Sequence, residues 1–158
     1  MFKAYLFDWG NTLMVDFPSA QGPMCDWPTV EIIEGAKETL NALSQTAKIY
    51  IATGAANSNE LAIQTAFQRV GLDTFISGYF CEANLGIAKG THLFMNTIIN
   101  KLGLEAQSVA MVGDSFEKDI QPAVDVGMAA FWLTNDGLIT VPTIPDNVRV
   151  IRSLTELL

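Results

Sequence analysis

The chain has 158 residues, 49% of them apolar and 16% charged, which fits one domain with a sizeable core and excludes a disordered chain or a long coiled coil. Its net charge is −8, from 17 acids against 9 bases, with no cluster of Lys and Arg, so neither nucleic acid nor an anionic membrane is an expected partner. A single His removes most zinc and Ser-His-Asp chemistry. Cys25 and Cys81 have no C-x-x-C partner, so neither a disulfide framework nor a structural zinc site is expected. No uncharged apolar stretch reaches the ~18 residues of a membrane helix. The opening apolar run meets Asp8 too soon for a signal peptide. The expected location is cytoplasmic.

In chain order, Lys3–Phe7 is a short apolar run ending at Asp8, the pattern of a buried strand with an acid at its carboxyl end. Residues 14–28 carry three prolines and a glycine and form a loop. A helix is predicted from about Val30 to Leu43, with Ile32, Ile33, Ala36, Leu40 and Leu43 on one face. Lys48–Ala52 is a second strand, ending at Thr53-Gly54. Ser58 to about Val70 is helical, with Leu61, Ala62, Thr65, Ala66 and Arg69 in register, stopped by Gly71. Phe80 and Cys81 fall in a third strand. Gly90 to Leu102 is a helix with Leu93, Phe94, Thr97, Ile98 and Lys101 aligned, closed by Gly103. Ser108–Val112 is a fourth strand, running into Gly113-Asp114. A helix follows over 117–126, then a fifth strand over 129–133, a turn at Asn135-Asp136-Gly137, a short strand at 148–151 and a last helical turn to Leu158.

Strands alternating with helices predict an α/β fold: a doubly wound three-layer sandwich with a mostly parallel sheet, residues 1–158 forming one domain. Ligands in this architecture bind at the carboxyl ends of the strands. Four signals fall there: Phe7-Asp8-Trp9-Gly10-Asn11-Thr12-Leu13; Ile51-Ala52-Thr53-Gly54; Lys89, placed at the start of a helix; and Gly113-Asp114 through Asp119. Each alone has a plainer explanation: a helix cap, a turn, a solvated charge. All four in one order at one end of one sheet are much harder to explain that way.

In that order the set resembles the haloacid dehalogenase (HAD) superfamily, over residues from Lys3 to about Leu133. Receivers of response regulators use similar groups, but there the paired acids come first, whereas here the second acid cluster comes last. The resemblance implies a Rossmann-like HAD core, Mg²⁺ as cofactor and a phosphorylated substrate. It makes Asp8 the nucleophile that forms an aspartyl-phosphate, with Lys89 offsetting the shared charge. It assigns phosphate binding to Thr53 and Gly54, with Asn11 as a further substrate-binding residue. Asp8, the Gly10 carbonyl and Asp114 would hold the metal, with Asp119 acting through water or by orienting Lys89.

One position departs from the pattern. Phosphatases of the superfamily carry a second Asp two residues after the nucleophile, as general acid and base; here it is Gly10. Losing such a group costs about 10²–10⁴-fold. Three readings stay open: a phosphohydrolase restricted to good leaving groups, and so weakly active; a proton supplied by Asp16 or Asp26; or a silent site that binds a phospho-ligand or a protein partner. The gaps from Leu13 to Val30 and from Thr53 to Lys89 are too short for a cap domain, which disfavours a dehalogenase and implies a capless, open site. Open sites in the superfamily serve large substrates or are closed by a partner, and a second copy of the chain is one such partner. His92 is expected on a helix surface. Trp9 and Phe116 either line the mouth or pack strand–helix junctions, and Phe17 and Trp27 are expected to seal the core beneath the loop.

Overall fold

The computed structural model describes residues 1–134 and 139–158; the turn expected at Asn135-Asp136-Gly137 lies outside the described residues. Among the described residues, six strands form one parallel sheet: β1 (Ala4–Phe7), β2 (Lys48–Ala52), β3 (Gly78–Phe80), β4 (Val109–Gly113), β5 (Ala129–Leu133) and β6 (Val148–Ile151), in the order β3-β2-β1-β4-β5-β6. The expected doubly wound α/β sandwich is therefore present. β1 and β4 are central, and β4 is buried along its whole length. That burial is why both read as unbroken apolar runs rather than alternating ones.

Side chains leave the two faces of the sheet alternately and build two cores. Phe7 and Val112 face one, filled by Leu40 of α1 (Ala36–Leu43) and Phe67 of α2 (Glu60–Arg69). Leu6 and Met111 face the other, filled by Phe94 and Ile98 of α4 (His92–Leu102) and Ala123 of α5 (Gln121–Asp125). A one-turn helix, α3 (Glu82–Leu85), follows β3.

Several boundaries differ from expectation for identifiable reasons. The helix expected from Val30 begins only at Ala36. Gly35 is left-handed (φ 80°), and the segment before it is extended: Val15 N–H donates to the Glu31 carbonyl and Ile33 N–H to the Leu13 carbonyl. Ile32 is thus in a bridge to Met14, not on the α1 face. Cys81 lies past β3, as the residue before α3. In α2 the buried face is Ile63, Ala66 and Phe67, while Leu61 is 70% exposed; in α4 it is Phe94, Met95, Ile98 and Ile99, while Leu93 is 54% exposed. Both helices start near the strand carboxyl ends, and each true stripe sits one or two residues from the predicted one. The helix expected over 117–126 is a wide turn, Phe116–Ile120, running into α5.

Candidate active site

The strand order reverses direction between β1 and β4, which leaves a crevice outside their carboxyl ends. Asp8 follows β1 and is tied to β4 by its N–H on the Val112 carbonyl, 2.9 Å. Asp114 follows β4, where its carbonyl accepts from the Trp132 indole N–H at 3.0 Å. Asp119 returns to the same point because the wide turn after β4 closes on Ser115: the Asp119 N–H donates to the Ser115 carbonyl at 2.9 Å, and the Ser115 N–H donates to Asp119 Oδ2 at 3.0 Å. This return requires Gly113. A Cβ there would sit 2.5 Å from the Cβ of Asp119 and nearer still to its carboxylate.

Lys89 is not at a helix start, as the sequence suggested. It lies in the turn before Gly90, whose φ is 109°, and α4 begins three residues later at His92, with Thr91 as N-cap. Its stem passes Gly54 closely: a Cβ on Gly54 would meet the Lys89 Cβ at 3.5 Å. The ammonium, in a side chain 4% exposed, is held by Asp8 Oδ1 at 2.6 Å, Asp119 Oδ1 at 2.6 Å and the Ala52 carbonyl at 2.7 Å. Burial pulls its pKa down, but the two carboxylates outweigh that and leave it raised.

One ammonium faces three carboxylates. Ligand oxygens of Asp8, Asp114 and Asp119 lie within 4.8 Å of one another. Burial and the neighbouring Asp8 push Asp114 up to about 7. Burial pushes Asp119 up to about 6, with Lys89 pulling the other way. Thr12, fully buried, spans two of the acids: its hydroxyl is 3.1 Å from Asp8 Oδ2 and 3.4 Å from Asp114 Oδ1. An all-oxygen donor set with surplus negative charge, open to a cavity of about 590 Å³, fits a hard divalent cation such as Mg²⁺.

The cavity brings together Asp8, Gly10, Thr53, Gly54, Lys89, Asp114 and Asp119, all singled out in the sequence. The Thr53 oxygen accepts from the Ala55 N–H at 3.1 Å, which leaves its own O–H free to donate. Asn11 also borders the cavity, but its side-chain oxygen accepts from the Asp16 N–H at 3.0 Å, so that oxygen serves the loop rather than a substrate. Asp16 and Asp26 are both exposed; Asp16 lines the cavity, whereas Asp26, in a short 3-10 turn, is not among its lining residues. His92 is exposed, as expected. Trp9 packs on Phe67 and borders the cavity, Phe116 packs on Trp132, and Trp27, 7% exposed against Phe17 and the core, borders the cavity as well.

Two contributions were not read from the sequence. Thr12 stands inside the quoted first motif but was given no role. Arg69, taken as one more position on a helix stripe, reaches the loop of residues 14–28: its Nη1 donates to the carbonyls of Trp27 (2.6 Å), Cys25 (3.2 Å) and Met24 (3.4 Å). It holds one wall of the cavity in place.

A family model described as haloacid dehalogenase-like hydrolase matches residues 21–127. The chain belongs to this family. The match takes in Thr53, Lys89, Asp114 and Asp119 and begins after Asp8. This HAD-like hydrolase is 31% identical, over 102 residues, to the pyrimidine 5'-nucleotidase YjjG of Escherichia coli; the match covers 64% of the chain but 44% of that relative. An uncharacterized protein from Listeria monocytogenes serotype 4b has the same fold, with a TM-score of 0.87 at 23% identity, over 99% of this chain and 94% of that one. A HAD phosphatase from Thermococcus onnurineus superposes with a TM-score of 0.68 at 25% identity, over 81% of this chain and 57% of that one. Among the described residues, no helix is long and apolar enough to cross a membrane.

Proposed function

We propose that this protein is a Mg²⁺-dependent phosphohydrolase that works through an aspartyl-phosphate on Asp8. The observation that carries the reading is the Lys89 ammonium, buried between Asp8 and Asp119 at 2.6 Å from each, beside a third carboxylate at a strand-end crevice. Phosphoryl transfer needs little covalent help beyond a nucleophile; it needs positioned charge. Asp8 attacks phosphorus. Lys89 offsets the negative charge that Asp8 and the phosphoryl oxygens share, and Asp119 fixes the ammonium in place. The Thr53 hydroxyl and the Gly54 N–H receive phosphoryl oxygens. Asp8, the Gly10 carbonyl and Asp114 would hold Mg²⁺, which when bound neutralises charge on the carboxylates and the phosphoryl group. The names of the nucleotidase and phosphatase relatives agree with a phosphate ester as substrate.

We read the protein as a capless member, with residues 14–28 in place of a cap, the site open to large substrates, and the work done in the cytoplasm, where free Cys25 and Cys81 would stay reduced. With no cap to dehydrate a carbon–halogen bond, dehalogenation is disfavoured. Gly10 supports a second reading, a silent site that retains phospho-ligand binding. One pair of experiments separates them. Beryllofluoride with Mg²⁺, which mimics an aspartyl-phosphate, should raise the melting temperature of the wild type but not of Asp8→Asn. A screen of aryl, acyl and alkyl phosphates should then show Asp8-dependent turnover. Beryllofluoride binding without turnover of any ester supports the silent site, and binding that survives Asp8→Asn removes Asp8 as the nucleophile.

A further inference from the structure

We propose that Asp16 replaces the carboxylic acid missing at position 10, giving a proton to the leaving oxygen and then taking one from the attacking water. This rests on the aspartyl-phosphate reading above.

Gly10 makes room for a neighbouring side chain. Its φ is not left-handed, so the backbone does not demand glycine there. What glycine supplies is space. A Cβ on residue 10 would stand 3.2 Å from the Asp16 Cβ, 3.5 Å from its Cγ and 3.4 Å from its Oδ2. The carboxylate of Asp16 therefore lies against the volume into which a side chain at position 10 would grow. A one-residue change at position 10 and the placement of Asp16 are two halves of one arrangement.

The chain is bent to achieve it. The N–H groups of Thr12, Leu13 and Met14 all donate to the Trp9 carbonyl, at 3.3, 3.0 and 3.2 Å, and the Asn11 N–H donates to the Met14 carbonyl at 2.7 Å. Met14 bridges back to Gly10. Asn11 has φ 60°, the one non-glycine positive φ among the described residues, and its side-chain oxygen holds the Asp16 N–H. Asn tolerates this left-handed conformation, and the turn it makes places the backbone of an acid at the rim of the site. Val15 is fixed in turn by its N–H on the Glu31 carbonyl, 2.9 Å. Asp16 borders the same cavity as Asp8 and Lys89, and among the described residues its carboxylate has no ion-pair partner or hydrogen-bond donor. Asp26, the alternative, lacks both the placement and the cavity.

The steps balance. An Asp8 oxygen attacks phosphorus and the bond from phosphorus to the leaving oxygen breaks. Its electron pair goes to that oxygen, which takes the proton of the Asp16 carboxyl and departs as the alcohol. The Asp16 carboxylate then takes a proton from water, and the water oxygen attacks phosphorus. The bond from phosphorus to Asp8 breaks, its electrons return to the Asp8 carboxylate, inorganic phosphate leaves, and Asp16 is again protonated. One ester and one water are consumed.

The test uses Asp16→Asn, Asp16→Ala and the exchange Gly10→Asp/Asp16→Ala. In Asp16→Asn, alkyl phosphate turnover should fall by about 10²–10⁴-fold. With para-nitrophenyl phosphate the first step needs no proton, so one equivalent of nitrophenol should appear in a burst, leaving a protein heavier by one phosphoryl group. Beryllofluoride binding should be unchanged. The exchange should recover alkyl turnover lost in Asp16→Ala, which a merely structural Asp16 would not explain. If wild type binds beryllofluoride through Asp8 and turns over esters, yet Asp16→Asn keeps its alkyl rate and gives no burst, the assignment of Asp16 is wrong and the Asp8 reading stands. If Asp8-dependent binding and turnover are absent in the wild type, the parent reading fails and takes this one with it.

Discussion

Gly113→Ala tests the geometry of the site through a single methyl group. The added Cβ would lie 2.5 Å from the Asp119 Cβ, where unbonded carbons do not approach, so Asp119 or β4 must shift. Neither moves freely. Gly113 pairs with Trp132 in the ladder to β5, and Asp119 is 1% exposed with its carboxylate on Lys89 and the Ser115 N–H. Overpacking a tight interior costs about 1–3 kcal/mol. Displacing one member of a buried charge pair costs up to about 3–5 kcal/mol when the partner is left bare. Lys89 retains Asp8, so a total near 3 kcal/mol is expected, the upper part of the packing range. For a chain of this size that is a fall in melting temperature of about 6–12 °C. Gly54→Ala is the control. Its Cβ would meet only the Lys89 stem, at an ordinary 3.5 Å, so its stability should stay within about 0.5 kcal/mol of wild type. Thermal unfolding of both variants, with beryllofluoride binding as a second readout, decides the matter. Gly113→Ala melting no lower than Gly54→Ala, with binding intact, would refute the account of Asp119 as the fixed partner of Lys89.

Magnesium should raise the melting temperature of the wild type and have no effect on Asp114→Asn; equal shifts would place the cation elsewhere. Without metal, the burial that lifts Asp114 from 3.8 to about 7 stabilises its protonated form in the folded state. Stability should therefore decline as pH rises from about 4 to about 7, where the unfolded chain sheds that proton and the folded one retains it, and Mg²⁺ should flatten the decline. A metal-free melting temperature that climbs across this window would contradict the burial of Asp114. Arg69→Ala should cost about 1 kcal/mol and open residues 17–28 to limited proteolysis, because three carbonyls lose their donor. An unchanged cleavage pattern would mean the loop is held by Trp27 and Phe17 alone.

The sheet was legible because its central strands are covered on both sides. β1 and β4 read as solid apolar runs, and their acids and glycines mark the ends. Order along the chain then placed Asp8, Thr53, Lys89 and Asp114 at one edge, since parallel strands put all their carboxyl ends together. The errors fell where a local pattern meets a distant partner. Val30 to Ile33 repeats at helical spacing with α1, yet pairs with Leu13–Val15 as extended chain, an interaction the local sequence does not announce. Leu61 and Leu93 also fitted a helical stripe, but both stand on the solvent side of it. An amphipathic count cannot separate two adjacent stripes when Ile63 and Phe67, or Met95 and Ile99, serve as well.

The first motif shows the same limit at the level of chemistry. Read linearly, Gly10 is a missing acid and Asn11 a polar group free to bind substrate. In space, Asn11 adopts φ 60°, which Asn tolerates better than other side chains, and this turn carries the chain back so that residue 16 lies beside residue 10. Gly-Asn is itself a turn signal, and it could have singled out Asp16, six residues on, from Asp26, which the sequence offered equally. Nearness along the chain offered Asp16 and Asp26 alike as proton sources. The bridge from Gly10 to Met14 separates them, and the missing Cβ at Gly10 leaves the space that Asp16 borders. Along the chain Gly10 reads as a loss; in the fold Gly10 and Asp16 border the same cavity.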